Sequence, residues 1–314
     1  MTYEPPQPSG WSHDLHANDY VAGMWLPLRI YTSPSAHRVV PDGAAVRLSA
    51  LRARVRARRR PQELAAARRL MRGLLEHTAR AGEADGLALR WMEEKSISSE
   101  ILWRPWMADR TIVHGVEHLK AAEAMRRGLV IAVGHLQPTF AVFPAVTASG
   151  VTPHPVVEPQ NFGLKPPGYQ GLRIMRWREY AIHLPLLESV GSFEDQLTIL
   201  RGGGAVLLAF DRPGTTPTPF LGRTVLLTSG PADLAHATGA PIVPAVPHRQ
   251  GAEIHVTFQP PLDPAGHRDH DPLHAALAAR FEGPVVERPE ALQPSWDPCP
   301  LIVDAPAGLE AGAA

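Results

Sequence analysis

Residues 128–140, GLVIAVGHLQPTF, contain the clearest signal of a buried strand in this sequence. Its five consecutive apolar residues, 129–133, follow a glycine, and such a short run between turn formers is typical of a strand buried on both faces. His135 is therefore predicted at the carboxyl end of that strand, where ligands gather in open α/β sheets. A histidine there can act as a general base near neutral pH, or it can satisfy a loop carbonyl and do no chemistry.

Similar apolar runs recur along the chain and alternate with helical patterns. Further strands are predicted at 155–157, 205–210, 242–246 and, from the alternation of its apolar residues, 254–258. Helices are predicted between them at 192–201 and 230–238, and each of these is followed by glycine. This order favours an α/β fold in which helices cover a mixed, largely parallel sheet.

The chain before this sheet is predicted to have two parts. Residues 1–45 are rich in proline and turn formers and are expected to be an extended arm or loop, for which packing on the domain is one option. Residues 47–81 have a helical pattern, in which Pro61 suits a first helical turn. We therefore expect an N-terminal arm over 1–45, a single α/β domain with a helical N-terminal portion over 45–300, and a C-terminal tail over 301–314.

Composition excludes several classes of protein. The 314 residues are 44% hydrophobic, with 31 Lys plus Arg against 31 Asp plus Glu, so no overall charge points to nucleic acid, an acidic substrate or a membrane. A single cysteine, Cys299, excludes an internal disulfide framework and fits a reducing compartment. The longest apolar stretch, 20–31, is too short to span a bilayer. We expect a cytoplasmic protein with no signal peptide and no transmembrane segment.

Four segments resemble a known family when they are taken together and in order. They are IVHGVEHLKAAEAMRRGLVIAV (112–133) leading to His135, RGGGAVLLAFD (201–211), FLGRTVLLTSGPADLAHATGAPIVP (220–244), and Arg288-Pro289-Glu290 followed by Trp296. The chain resembles the lauroyl/myristoyl acyltransferases of lipid A biosynthesis, a branch of the lysophospholipid acyltransferase superfamily. The resemblance implies an acyltransferase-like α/β fold in which His135 deprotonates the acceptor and nearby arginines or backbone N–H groups stabilise the oxyanion.

One position departs from the family's pattern. The family has Glu or Asp at the fifth position after its histidine, and this chain has Phe140 there. Such a carboxylate orients the imidazole and stabilises the imidazolium, and a phenyl ring does neither. Asp211, at the end of the predicted strand 205–210, is the candidate replacement, so His135 and Asp211 form the candidate catalytic pair. Asp211 can equally cap its own backbone in the turn 211–214.

Arginines supply candidate substrate-binding groups, since guanidinium forks suit phosphate, carboxylate or a developing oxyanion. Their alternative role is that of solvated helix residues. The candidates are Arg173, Arg176, Arg178, Arg212 and Arg223, and the nearby Asn161 and Phe162 are candidate pocket residues.

A dense arginine run precedes Pro61 and forms a local basic patch. It consists of Arg52, Arg54, Arg56, Arg58, Arg59 and Arg60. We expect it to dock the acyl donor, whether acyl carrier protein, acyl-CoA or aminoacyl-tRNA, although an anionic bilayer would also be attracted to it. No aromatic residue is interleaved with the run, which disfavours stacking on nucleic acid. A solvated helix face is the alternative.

No metal or cofactor is expected. The histidines lack the spacing of an HExxH site, and the chain has no P-loop, no GxGxxG after a strand and no GxSxG elbow. The short run His267–Asp271 is predicted to be a polar surface loop.

The sequence predicts an acyltransferase that moves an acyl group from an activated thioester or ester to a hydroxyl or amine of a small-molecule acceptor. The family is normally tethered by a membrane helix, and no such helix is predicted here, so a soluble small-molecule acceptor is favoured over lipid A. An acceptor of this kind favours a biosynthetic role in specialised metabolism. Two alternatives stay open. An aminoacyl-tRNA-dependent transferase is favoured by the arginine run, and a noncatalytic binding relative is favoured by Phe140.

Overall fold

A seven-stranded sheet lies at the centre of the structure, a computed structural model that describes residues 34–159, 176–177, 180–181, 183–294 and 299–305. Its strands, in the order in which they lie across the sheet, are β1 (Ile112–His114), β9 (Glu253–Phe258), β8 (Ile242–Gln250), β2 (Leu129–Val133), β5 (Ala205–Ala209), β3 (Pro153–Val157) and β4 (Leu187–Glu188). Strands β6 (Pro213–Phe220) and β7 (Arg223–Leu227) form a separate antiparallel hairpin.

Most of the sheet is parallel, as predicted. Strand β2 pairs in parallel with β5 on one side and with β8 on the other, and β3 and β4 continue in the same direction. Strand β9 runs antiparallel to β8, and β1 pairs in parallel with β9. The predicted α/β fold with a mixed, largely parallel sheet is confirmed.

Ten helices of the described residues surround the two sheets. They are α1 (Pro34–Arg38), α2 (Asp42–Arg59), α3 (Pro61–Leu75), α4 (Ala84–Ile101), α5 (Pro105–Asp109), α6 (Val116–Ala124), α7 (Val142–Ala148), α8 (Phe193–Arg201), α9 (Gly230–Thr238) and α10 (His270–Glu287).

Strand β2 is buried on both faces because helices cover both sides of the sheet. Val130 and Ala132 point into a first core with α3, α8, α9 and α10, whereas Leu129, Ile131 and Val133 point into a second core with α5, α6 and α7. This alternation follows from the two-residue period of a strand. It explains why the sequence 129–133 is continuously apolar instead of alternating.

Residues 34–45 were expected to be extended, and the structure contradicts this expectation. They form α1 and the beginning of α2. Arg104, which is 1% exposed, donates to the Val40 carbonyl at 2.9 Å and to Asp42 Oδ1 at 3.0 Å. His37 Nδ1 lies 2.9 Å from Glu100 Oε1. These buried polar contacts hold the segment against α4; residues 1–33 lie outside the described part of the chain.

Several elements were not predicted from the sequence, among them the hairpin β6–β7 and helix α10. The hairpin β6–β7 contains Pro213, Pro217 and Pro219, and proline is unusual in strands because it cannot donate to a ladder. Helix α10 begins at His270, within the predicted surface loop 267–271. Asp269 is its N-cap, because its side chain accepts a hydrogen bond from the Asp271 N–H at 3.2 Å.

The described residues of the expected C-terminal tail pack against the domain. Leu301 is 1% exposed, and the Ala305 N–H donates to the Thr224 carbonyl at 2.8 Å. Ile302 lies against Gly73 of α3, where an added Cβ would approach its side chain to 3.1 Å. Residues 299–305 therefore join α3 to the hairpin, and residues 306–314 lie outside the described part of the chain.

A buried histidine makes stability depend on pH. Burial of His274 in α10, which is 1% exposed, lowers the pKa of its imidazole to about 4. The unfolded chain binds this proton below a pKa of about 6.5, so stability present at neutral pH is lost as the pH falls towards 4. We predict that this group removes about 2 kcal/mol from the free energy of unfolding between pH 7 and pH 5.

Urea denaturation at the two pH values measures this effect. The variant His274→Leu should lose that part of the decrease, because leucine has no proton to bind. Equal pH dependence in the variant and in the unaltered protein would show that His274 is not the responsible group.

Candidate active site

The pairing of β2 with β5 brings the two candidate catalytic residues together. Val133 lies opposite Ala209 in the ladder, and the Phe210 N–H donates to the Val133 carbonyl at 3.0 Å. His135 and Asp211 each follow their strand by two residues. Because the strands are parallel and in register, both side chains reach the same carboxyl edge of the sheet.

One carboxylate holds both the ring and the backbone of His135. Nδ1 of His135 lies 2.7 Å from Asp211 Oδ1, and the His135 backbone N–H donates to Asp211 Oδ2 at 2.7 Å. An ionised carboxylate only accepts hydrogen bonds, so Nδ1 is the donor and Nε2 is the nitrogen that can accept a proton. Asp211 is 3% exposed, whereas the side chain of His135 is 23% exposed. The geometry is that of a base and its orienting group; these roles stay predictions.

The environment raises the pKa of the His135 imidazole above its ordinary value. Burial alone would lower it, but the negative charge of Asp211 and its hydrogen bond outweigh that effect. Arg212 opposes the increase and Glu158 adds to it.

Cys299 lies close enough to Asp211 for the negative charge of that carboxylate to affect the pKa of the thiol. Burial raises the pKa of the thiol to about 12, and Asp211 adds to this increase. Because the thiolate is the nucleophilic form of cysteine, this burial disfavours the reactive form of Cys299 at neutral pH.

The segment that carries His135 is anchored from the far end of the chain. The Gln293 N–H donates to the His135 carbonyl at 2.8 Å, and the Gln137 N–H donates to the Ala291 carbonyl at 2.9 Å. Trp91 of α4 donates through Nε1 to the Leu292 carbonyl at 2.6 Å. The stretch that follows Arg288-Pro289-Glu290 in the sequence thus holds the backbone of the site.

Gly134 lets this segment pass closely over the sheet. A Cβ at Gly134 would lie 3.0 Å from Phe210 Cε1 and 3.6 Å from Asp211 Oδ2. A side chain here would crowd the Phe210 ring, so the close packing at this point favours glycine.

A cavity of about 490 Å³ opens beside His135, within the usual size range of a small-molecule site. Its apolar lining comes mainly from β2, β3, β5 and α7, whereas α4 contributes the polar residues Lys95, Ser98 and Ser99. The large apolar residues are Leu102, Val133, Phe140, Val142, Phe143, Val156, Val157, Trp177, Leu207 and Leu208. The polar lining residues besides His135 are Lys95, Ser98, Ser99, Gln137, Thr139, Glu158, Arg212 and Gln293.

Phe140 belongs to the apolar wall of this cavity. It is 4% exposed, packs in the second core, and its ring centroid lies 4.7 Å from that of Tyr180. The position at which the resembling family has a carboxylate is therefore apolar here, while the carboxylate beside the imidazole comes from the neighbouring strand.

Glu158 is a site residue that sequence analysis missed. It follows β3, which neighbours β5, so it reaches the same edge as Asp211. Its Oε1 lies 2.5 Å from Arg212 Nη2. A carboxylate directly after a predicted buried strand was the signal that could have identified it. Arg212 lines the cavity, in agreement with its place among the candidates, and its binding role stays a prediction.

The other candidate arginines lie elsewhere or outside the described residues. Arg176 is buried, with its guanidinium carbon 5.6 Å from the Trp103 ring centroid, and does not line the cavity. Arg223 donates to the carbonyls of Gly73 and Ile302, both at 2.9 Å, and joins β7 to α3 away from the cavity. The candidates Arg173, Arg178, Asn161 and Phe162 lie outside the described residues.

The arginine run lies on α2 and in the short link to α3, and every one of its side chains is exposed. Arg54 pairs with Glu93 at 2.6 Å, and Glu63 pairs with Arg56 at 2.6 Å and with Arg60 at 3.0 Å. None of the six arginines lines the cavity. A role in donor docking stays a prediction.

No group of three or more His, Cys, Asp or Glu residues in the described part of the chain is arranged to hold a metal ion. In that same part of the chain, no helix combines the length and apolarity needed to cross a membrane.

Comparisons with known proteins identify relatives. The sequence profile of the family described as bacterial lipid A biosynthesis acyltransferase matches residues 89–293. A similar solved structure is that of the 1-acyl-sn-glycerophosphate (LPA) acyltransferase PlsC from Thermotoga maritima. It has 15% sequence identity and a TM-score of 0.39, and the match covers 62% of this chain and 80% of that chain. No curated protein matches the chain.

The coupling between His135 and Asp211 can be tested without a substrate. We predict that Asp211→Asn lowers the pKa of His135, because the substitution removes the negative charge that favours the imidazolium. Titration of the His135 ring by NMR in both proteins measures the change. An unchanged pKa would show that Asp211 does not control the protonation of His135.

Proposed function

The chain belongs to the bacterial lipid A biosynthesis acyltransferase family, and on that premise we propose that it transfers an acyl group from an activated thioester or ester to a hydroxyl or amine. One observation carries the proposal. The imidazole of His135 is held by Asp211 Oδ1 and its backbone N–H by Asp211 Oδ2, at the edge of a cavity that has an extensive apolar wall. This arrangement supplies a base beside a space suited to an acyl chain.

His135 is the proposed general base. Its Nε2 accepts the proton of the acceptor hydroxyl or amine as the acceptor atom attacks the carbonyl carbon of the donor. Asp211 stabilises the imidazolium that forms, through the hydrogen bond to Nδ1. When the tetrahedral intermediate collapses, the bond to the leaving sulfur or oxygen breaks and the leaving group takes the proton from Nε2.

Arg212 is the proposed electrostatic partner of the oxyanion. Its charge lowers the pKa of His135, so it lies within electrostatic range of the reacting centre. The ion pair with Glu158 fixes the guanidinium at the cavity lining. A positioned cation at that place favours the tetrahedral intermediate over the neutral carbonyl.

The apolar lining residues are the proposed binding surface for the acyl chain. Phe140, Phe143 and Trp177 supply aromatic surface, and burial of methylene groups against such surface is favourable. The replacement of a carboxylate by Phe140 suits this role, because a charge at a buried wall would disfavour an alkyl chain.

Acyl carrier protein or acyl-CoA is the proposed donor, and a small molecule is the proposed acceptor. Ser98, Ser99 and Gln137 in the cavity lining offer hydrogen bonds to a polar acceptor. A biosynthetic role in specialised metabolism and a place in the cytoplasm complete the proposal. An aminoacyl-tRNA donor has less support, since the arginine run that favours it has no interleaved aromatic residue on which bases could stack.

The proposal predicts that His135→Ala lowers turnover about 1,000-fold, the middle of the range for loss of a general base. Acyl-CoA and acyl carrier protein donors of several chain lengths, assayed against hydroxyl and amine acceptors, supply the measurement. His236→Ala is the matched control, because His236 is exposed on α9 and lies outside the cavity lining.

Two outcomes would contradict the proposal. Unchanged turnover in His135→Ala would remove the histidine from the mechanism. Saturable binding of acyl donors without turnover in the unaltered protein would identify a noncatalytic binding protein on this fold.

A further inference from the structure

The chain that follows α10 turns back towards the proposed base. Pro289–Ala291 forms a single 3₁₀ turn, which a proline suits because the first turn of a helix has no use for its N–H. Leu292 then returns to an extended backbone, with φ −68° and ψ 116°. The chain is therefore extended where it passes the segment that carries His135.

Two backbone hydrogen bonds join this extended segment, 291–293, to the segment 135–137. The Gln293 N–H donates to the His135 carbonyl at 2.8 Å, and the reciprocal bond, to the Ala291 carbonyl, is 2.9 Å long. This is the pattern of an antiparallel bridge. The proposed base is thus carried by a short strand pair that lies outside the named strands of the sheet.

The Leu292 carbonyl takes no part in this bridge. Successive backbone groups of a strand point to opposite sides, so the carbonyl of Leu292 points away from residues 135–137. Trp91 of α4 donates to it through Nε1 at 2.6 Å. Because Leu292 is 1% exposed, loss of this donor would leave its carbonyl buried without that partner, which is unfavourable.

Helix α4 carries Trp91 on the face that is turned towards the domain. Leu87 and Ala88, which precede Trp91 by four and three residues, are 3% and 0% exposed and pack in the first core. Lys95 follows Trp91 by four residues, its ammonium lies 4.8 Å from the centroid of the Trp91 ring, and it lines the cavity. One face of α4 therefore binds the segment 291–293 and forms part of the cavity wall one turn later.

We propose that Trp91 is a positioning residue for acyl transfer, an inference that rests on the proposed role of His135 as the base. The Trp91 N–H holds the outer edge of the segment 291–293. The inner edge of that segment holds the His135 carbonyl through the Gln293 N–H. Since Asp211 accepts the His135 N–H, the backbone of His135 is held at both its N–H and its carbonyl. Its Nε2 thereby keeps a constant position relative to the α4 wall of the cavity.

The geometry of proton transfer explains why such positioning matters. A general base must lie within hydrogen-bond distance of the proton that it accepts, and a displacement of about 1 Å can lower a rate about 100-fold. Trp91 does not line the cavity, so it acts on the rate through His135 and not through contact with the substrate. Its loss should therefore lower kcat and leave the KM for the donor almost unchanged.

The variant Trp91→Phe tests the proposal, because phenylalanine keeps an aromatic ring on α4 and removes the N–H donor. With the acyl-CoA that gives the highest turnover, we expect kcat to fall between about 10- and 100-fold and KM to change less than about twofold. Amide hydrogen exchange, measured by NMR, needs no substrate. The Gln293 and Gln137 N–H groups should exchange about fivefold faster. The Phe210 N–H, which donates to the end of β2, should exchange at an unchanged rate.

Trp106→Phe is the matched control. Trp106 lies on α5, and its Nε1 donates to Asp42 Oδ1 at 3.0 Å, so the substitution removes the same kind of hydrogen bond away from the cavity. It should leave kcat and the exchange of the Gln293 N–H unchanged. Thermal unfolding verifies that both variants are folded. If Trp91→Phe does not fold, 3-benzothienylalanine at position 91 takes its place, because sulfur then replaces the N–H in a ring of nearly the same shape.

Three results would overturn the proposal. They are unchanged exchange of the Gln293 and Gln137 N–H groups in Trp91→Phe, a kcat within twofold of that of the unaltered protein, and equal losses in Trp106→Phe. A rise in KM that accounts for the whole loss of kcat/KM would also overturn it, since Trp91 would then be a substrate-binding residue. Failure of the proposed function is distinguishable, because His135→Ala would then keep its turnover whatever the exchange in Trp91→Phe.

Discussion

The site depends on one buried carboxylate, Asp211, which hydrogen-bonds both the ring and the backbone N–H of His135. Two hydrogen bonds of 2.7 Å to one group fix the tautomer of the imidazole and the place from which it projects. These two hydrogen bonds form because β2 and β5 are parallel, adjacent and in register. Cores on both sides of the sheet hold that register, so the packing of the whole domain supports one ion pair.

This source of the carboxylate changes what the rest of the site can be. When the orienting group comes from the neighbouring strand, the fifth position after the histidine is released from that role. Phe140 occupies it, buried against Tyr180, and adds to the apolar lining beside the imidazole. In the proposed mechanism His135 can therefore act as a base although Phe140 replaces the motif carboxylate. The phenyl ring also adds apolar surface to the cavity lining.

Sequence analysis predicted those parts of the fold that one pattern of residues identifies without ambiguity. Strands such as 129–133 are buried on both faces and read as uninterrupted apolar runs, and strand ends predict which polar residues share an edge. The hairpin β6–β7 was missed because its prolines argue against a strand, and α10 because Asp269 was interpreted as part of a loop. Glu158 was overlooked because it belongs to none of the segments that resemble the family. For arginines, the sequence shows the charge but not its partner, so Arg223 was grouped with Arg212 although it joins β7 to α3.

A double-mutant cycle on turnover measures the coupling between Asp211 and His135. If Asp211 acts through His135, then Asp211→Asn should lower kcat/KM strongly in the unaltered protein and have almost no further effect once His135 is alanine. The two losses would then be far from additive. Additive losses in the double variant would contradict the account, because they would show that Asp211 contributes to catalysis independently of His135.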